Sequence, residues 1–193
     1  MKIGIDCDDV LSISVAAFRK FYSKKYKKDL YYFRFEQPHK LGLTVQEFYK
    51  IWDEFCNADE HTNMDPIPHS FDVLKRLSEK HKLIVITARS KQLKEPTVKW
   101  ITKNFPNIFN NIHLINEANK IGTKTKLKVC KELEIDILID DNLDNLLPCA
   151  KEGIKCFWFN QYTSYPPKKL YSKKNIIKVK SWIEIEKEIN KGK

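Results

Sequence analysis

The chain has 193 residues, a formal net charge of +10, and 42% hydrophobic and 31% charged residues. That balance fits one globular domain with a modest insertion and excludes wholesale disorder, while five Gly and eight Pro exclude collagen-like and Gly/Pro-rich classes. No apolar run reaches the ~18–20 residues that cross a bilayer, and Asp6, Asp8 and Asp9 stand where a secretory leader needs its apolar stretch, so a cytoplasmic protein without a membrane partner is expected.

The first apolar run, Lys2–Ile5, is short and leads directly into Asp6. About 75 residues separate it from the next run, far more than a strand-to-strand crossover needs. Within that interval Leu11, Val15, Phe18, Tyr22 and Tyr26 fall on one helical face, and Val45, Phe48, Tyr49, Trp52 and Phe55 on another. Residues 18–55 hold 12 of the 23 aromatic side chains, which predicts a small helical unit packed on its own rings. Pro66-Ile67-Pro68 reads as the return to the main body.

A regular alternation then begins. A helix over 69–80 precedes the run Leu83–Ile86, which ends at Thr87-Ala88-Arg89. A helix over 93–104 precedes Ile112–Ile115, and a helix over 125–134 precedes Asp136–Ile139 with Asp140 and Asp141 behind it. A helix over 142–151, in which Pro148 is expected to bend or shorten the last turns, precedes Ile154–Phe159. A short strand at Ile176–Val179 and a helix at Trp182–Ile189 close the chain. Brief β-branched runs without polar alternation suit strands buried on both faces. Their alternation with helices predicts an α/β fold, a three-layer Rossmann-like parallel sheet core with a helical cap inserted after the first strand. The core is assigned to residues 1–12 and 67–193 and the cap to 13–66.

The positive charge is uneven, with eleven Lys against four Glu in residues 151–193 and eight Lys/Arg against two acids in residues 19–40. Such surfaces suit anionic partners, although no nucleic-acid-binding motif accompanies them. The five Cys include no Cys-x-x-Cys pair and read as reduced thiols, and the five His read as surface or turn residues rather than metal ligands.

In an open parallel sheet, ligands bind beyond the carboxyl ends of the strands. That edge is where the acids collect: Asp6, Asp8 and Asp9 after one strand, Asp140 and Asp141 after another, with Asp144 a turn later. Converging carboxylates repel, and a hard divalent cation relieves the repulsion. Asp residues also begin turns and cap helices, which accounts for one such cluster. Thr87, the backbone amides beside it and the Arg89 fork could hold phosphate oxygens. The Lys124-Thr125-Lys126-Leu127-Lys128 stretch could neutralise both the carboxylates and an incoming phosphate.

Ile5-Asp6-Cys7-Asp8-Asp9-Val10 resembles the Asp-x-Asp-x-Val/Thr signature of the haloacid-dehalogenase superfamily. Thr87, a downstream Lys and Ile139-Asp140-Asp141 resemble that superfamily's other three motifs, in order. Ile86-Thr87-Ala88-Arg89, Lys126-Leu127-Lys128-Val129-Cys130-Lys131-Glu132-Leu133 and the helical insert resemble its cytosolic deoxyribonucleotidase-like branch, where a small hydroxyl residue is expected at the position of Ala88. The resemblance implies that Asp6 is the nucleophile and Asp8 the acid and base. It implies that Thr87, Arg89 and Lys126 bind the phosphoryl group, with Lys124 the alternative lysine, and that Asp140 orients the lysine or water. Mg²⁺ would be held by Asp6, the Asp8 carbonyl and Asp141. The expected activity is a Mg²⁺-dependent phosphatase, with nucleoside or deoxynucleoside monophosphates as leading substrates. Another phosphometabolite such as a sugar phosphate, or a non-catalytic nucleic-acid-binding protein on the same fold, are the alternatives.

Overall fold

The computed structural model describes residues 1–28, 30, 42–116, 125–161 and 175–191. Lys124, His39 and the aromatics at 31–35 lie outside the described residues. Strands β1 (Lys2–Ile5), β2 (Lys82–Ser90), β3 (Asn111–Asn116), β4 (Ile137–Asp140), β5 (Lys155–Phe159) and β6 (Ile176–Val179) form one sheet in the order β3-β2-β1-β4-β5-β6. Every pairing is parallel. The chain winds first to one side of β1 and then to the other, so the strand order reverses between β1 and β4, where such sheets open a crevice.

The helices are α1 (Ser14–Tyr26), α2 (Val45–Cys56), α3 (Asp59–Thr62), α4 (Ser70–Ser78), α5 (Lys94–Asn104), α6 (Lys126–Glu132), α7 (Leu143–Lys151) and α8 (Trp182–Asn190). Among the described residues none is long and apolar enough to cross a membrane. Side-chain alternation assigns them to two faces. Ile3, Ile5, Val85, Ile139 and Phe157 share one apolar cluster with Leu74 of α4, Trp100 of α5 and Trp182 of α8. Ile84, Ile86, Leu138 and Cys156 share the other with Val129 of α6 and Leu146 of α7. The result is the three-layer α/β core that unbroken apolar runs predict.

Among the described residues, α1, α2 and α3 stand between β1 and α4. A reciprocal cap opens α2: Thr44 Oγ1 accepts the Glu47 amide, and the Glu47 carboxylate accepts the Thr44 amide. Fully buried Phe18 is the hub of this unit, with ring centroids at 5.3 Å from Phe55, 5.8 Å from Trp52 and 5.9 Å from Phe48. Its apolar cluster is continuous with that of the sheet. The two connections run side by side, with the Ile67 amide donating to the Leu11 carbonyl at 2.8 Å and the Ile13 amide to the Asp65 carbonyl at 3.0 Å. Two tryptophans fix them to the body: Trp182 Nε1 donates to the Val10 carbonyl and Trp100 Nε1 to the Met64 carbonyl.

Four details depart from the expected elements. Strand β2 continues through Thr87 to Ser90, because pairing with β3 resumes at Ser90–Asn116 after a register shift. Leu11 belongs to the buried loop before α1 rather than to the helix. Pro148 leaves α7 intact, since the carbonyl it deprives of a donor is that of Asp144, an exposed first-turn residue. His61, expected at the surface, is fully buried in α3 with its ring edge-on to Phe55 at 5.3 Å.

Candidate active site

The carboxyl ends of β1 and β4 bring Asp6, Asp140 and Asp141 together, with one carboxylate oxygen from each lying within 4.8 Å of the others. Adjacency of the strands does this: Ile5 pairs with Ile139, and the Asp6 amide extends the ladder by donating to the Ile139 carbonyl at 2.9 Å. Lys126 enters from the first turn of α6, whose N-cap Thr125 accepts the Lys128 amide. Its buried Nζ lies 2.8 Å from Asp6 Oδ1 and 2.5 Å from Asp140 Oδ2. Asp140 is saturated, because Oδ1 also accepts from the Asn142 amide and Asn145 Nδ2. No hydrogen bond or ion pair reaches the Asp141 carboxylate among the described residues, while Trp158 Nε1 holds its carbonyl at 2.8 Å.

After Asp6 the chain turns sharply. The Cys7 carbonyl accepts the amides of Leu11 and Ser12, and Asp9 adopts a left-handed φ of 53°. Asp9 thereby reaches the start of α1: its Oδ1 accepts the Val15 amide, and its own amide donates to Ser14 Oγ. Asp8 points to β2. Arg89 Nε and Nη2 grip both Asp8 oxygens at 2.9 and 2.7 Å, and Nη1 donates to buried Thr97 Oγ1 at 3.1 Å. Arg89, expected to offer its fork to phosphate, is thus engaged by Asp8 and α5. Thr87 is buried beside Asp6, and its Oγ1 accepts the Arg89 amide at 3.3 Å.

Electrostatics follow from this packing. Burial pushes Asp6 up to about 7, with Lys126 pulling it down and Asp140 and Asp8 pushing it up. Burial and the charges of Asp140 and Asp6 raise Asp141 well above the carboxylate range. Asp8 is the exception: burial would raise it, but the Arg89 pair outweighs burial and holds it below its ordinary value. Among the described residues, Asp6, Asp8 and Asp140 thus share two cations, Lys126 and Arg89, and Asp141 pairs with neither. An all-oxygen donor set with excess negative charge, and a carboxylate without a partner among the described residues, fits a hard divalent cation. Because Lys126 and the two asparagines occupy Asp140, the carboxylates of the group left to fit such an ion are those of Asp6 and Asp141.

Above this floor lies a cleft of about 180 Å³, with Asp6, Asp8, Thr87, Arg89 and Asp141 below and Phe48, Tyr49 and Trp52 of α2 opposite. Asn116, Asn142 and Asn145 complete the wall, and sequence reasoning assigned none of them to the site. Their signal was positional: Asn116 ends β3, with Nδ2 donating to the Ala88 carbonyl, and Asn142 is the N-cap of α7.

The family model of the 5′ nucleotidase, deoxy (pyrimidine), cytosolic type C protein matches residues 1–193. "Putative nucleotidase YqfW" of Bacillus subtilis is 32% identical over 157 residues, covering 79% of this chain and 74% of its own. Among solved structures, the haloacid dehalogenase-like hydrolase SP0104 of Streptococcus pneumoniae superposes with a TM-score of 0.67 at 14% identity, covering 97% of both chains. YfnB of Bacillus subtilis, solved with magnesium bound, superposes with a TM-score of 0.64 at 12% identity over 98% of both chains.

Proposed function

This chain belongs to the deoxy (pyrimidine), cytosolic type C family of 5′ nucleotidases and is a phosphoric monoester hydrolase of the haloacid-dehalogenase superfamily, and we propose that it hydrolyses nucleoside or deoxynucleoside monophosphates through an aspartyl-phosphate on Asp6. The observation that carries this reading is the placement of Asp6, Lys126 and Asp141 beneath a cleft whose opposite wall is aromatic. In the proposed first half-reaction an Asp6 carboxylate oxygen attacks phosphorus, the bond to the ester oxygen breaks, and Asp8, which must first take up a proton against the pull of Arg89, delivers it to that oxygen. In the second, Asp8 takes a proton from water as the water oxygen attacks phosphorus. The bond to Asp6 breaks, leaving inorganic phosphate and a free Asp6 carboxylate.

Lys126 and Thr87 would hold the phosphoryl oxygens, and Asp140 would keep the Lys126 ammonium aimed at them. Asp6, Asp141 and the Asp8 carbonyl would hold Mg²⁺, which when bound neutralises charge on the transferring phosphoryl group. The acidic floor and the magnesium-bound fold relative support that choice of ion. The segment 13–66 acts as the cap over a core of 1–12 and 67–193, with α2 rings against the base. A cytoplasmic setting agrees with five free, buried cysteines.

One observation favours a second reading. The cleft's volume of about 180 Å³ falls below the ~300 Å³ at the small end of ligand pockets, which suits a compact ester such as a sugar phosphate. Initial rates over a panel of nucleotides and sugar phosphates, with Mg²⁺ and with chelator, test both readings. Preference for nucleotides supports the first, and equal rates with ribose 5-phosphate sink it.

A further inference from the structure

We infer that Arg89 is a positioning residue that acts through Asp8, fixing the plane of its carboxylate beside Asp6, rather than a phosphate ligand. This rests on the hydrolase reading of the site. Three observations support it. First, the contact is a fork: Nε and Nη2 meet Asp8 Oδ2 and Oδ1 at 2.9 and 2.7 Å, which sets both distance and plane. Second, the fork is itself anchored, since Nη1 donates to Thr97 Oγ1 on α5, and neither Thr97 nor the Arg89 side chain is more than 1% exposed. Third, the strands set the reach. Ile5 of β1 pairs with Val85 of β2, and β2 runs on past the point where β1 turns away, so Arg89 descends on Asp8 from above Thr87.

The remaining candidates for the fork do not compete. Asp6 is held by Lys126, and Asp141 has no contact with the guanidinium. Asp8 nevertheless lines the cleft beside Asp6, with its side chain 18% exposed, so it faces substrate space while gripped from behind. A proton shuttle held this way needs no search for its productive position, and displacement by ~1 Å can cost about 10²-fold in rate.

The test compares Arg89→Lys and Arg89→Met with Asp8→Asn and the double variant Asp8→Asn/Arg89→Met, each with a thermal melt. A positioning role predicts a kcat loss of about 10- to 100-fold for Arg89→Met, partial recovery in Arg89→Lys, and KM within about twofold of wild type. With an aryl phosphate, slowed release of phosphate from the enzyme should give a burst of aryl alcohol. The dissociation constant of inorganic phosphate in Mg²⁺, read by calorimetry, should not move. In the Asp8→Asn background the second substitution should cost less than about threefold, because the residue it works through is gone. A tenfold weaker phosphate affinity, a matching rise in KM, or a full additional loss in the double variant overturns the inference. If Arg89→Met does not fold, the double variant against Asp8→Asn carries the comparison, since it removes both charges. If wild type hydrolyses no phosphomonoester, the function fails separately, and NMR of the Arg89 Nε–H still decides. A protected resonance lost in Asp8→Asn supports the pair, and one unaffected by that substitution overturns it.

Discussion

Lys126 and Asp6 form a buried ion pair, with Nζ 2.8 Å from Oδ1, across the topological switch point of the sheet. The same ammonium satisfies Asp140 at 2.5 Å, so one cation from α6 balances the ends of two neighbouring strands. The lysine therefore supports the fold as well as the phosphate binding proposed for it. Lys126→Met should leave two buried carboxylates unpaired and cost about 3–5 kcal/mol in metal-free protein. Denaturant unfolding in chelator checks this, and a stability unchanged from wild type would show that the pair is dispensable.

If Asp6 is the nucleophile and Asp8 the proton shuttle, as proposed, kinetics should separate them. Asp6→Asn removes the nucleophile, so no phospho-enzyme forms and turnover collapses. Asp8→Asn keeps the backbone carbonyl but loses the proton shuttle, at about 10²–10⁴-fold. With an aryl phosphate, a good leaving group, Asp8→Asn should show a burst of aryl alcohol and then slow turnover. A burst from Asp6→Asn would reverse the assigned roles.

Stability should depend on pH in a direction set by the buried acids. Asp6 and Asp9 are both raised to about 7, chiefly by burial, and Asp141 is raised as well. A raised folded-state pKa means that the folded chain holds protons more tightly than the unfolded one. Its contribution is full below the ordinary carboxylate value of ~4 and is lost as pH rises through about 7. Asp8, lowered by Arg89, acts in the opposite sense, and its contribution is lost only as pH falls below the ordinary value. Metal-free protein should therefore lose melting temperature between about pH 4 and pH 7. Added Mg²⁺ should raise it more at pH 8 than at pH 5.5, because protons compete for the same oxygens. Equal Mg²⁺ shifts at both pH values would contradict the acidic floor as the ion's site.

Tyr49 is the cleft aromatic that packs least into the cap, at 37% exposed with an edge-on contact to Phe48. Tyr49→Ala should lower kcat/KM for nucleoside monophosphates by about 5- to 150-fold if the ring stacks on a base. Ribose 5-phosphate should be hydrolysed as before, and equal losses on both substrates would remove base stacking from the account.

Gly4 lies at the centre of the sheet, where an added Cβ would meet Ile86 Cδ1 at 2.9 Å and Ile135 and Leu138 methyls at 3.3 Å. Gly4→Ala should destabilise by about 1–3 kcal/mol through overpacking. A denaturant midpoint equal to wild type would show that Ile86 rotates away at no cost.

The parts legible in the chain alone were those written locally. Apolar runs such as Lys2–Ile5 and Ile154–Phe159 needed only their period and length to be read as buried strands, and helix faces such as Phe71, Leu74 and Leu77 needed only 3.6-residue spacing. Acids placed directly behind strands marked the ligand edge because a parallel sheet presents all its carboxyl ends on one side. Pairing across strands is not local. Which oxygen Arg89 would grip depended on β2 outrunning β1 beside it, and a register shift after Thr87 had no mark in the residues themselves. Asp9 looked identical to its neighbours until a left-handed turn placed its carboxylate on the Val15 amide of α1. His61 read as polar and therefore outward, yet a unit rich in rings buried it against Phe55. Short-range pattern selects the elements because backbone geometry and hydrophobic burial act residue by residue. Only the packed sheet decides which charges face each other, because those distances are set by strand order and register that no single segment contains.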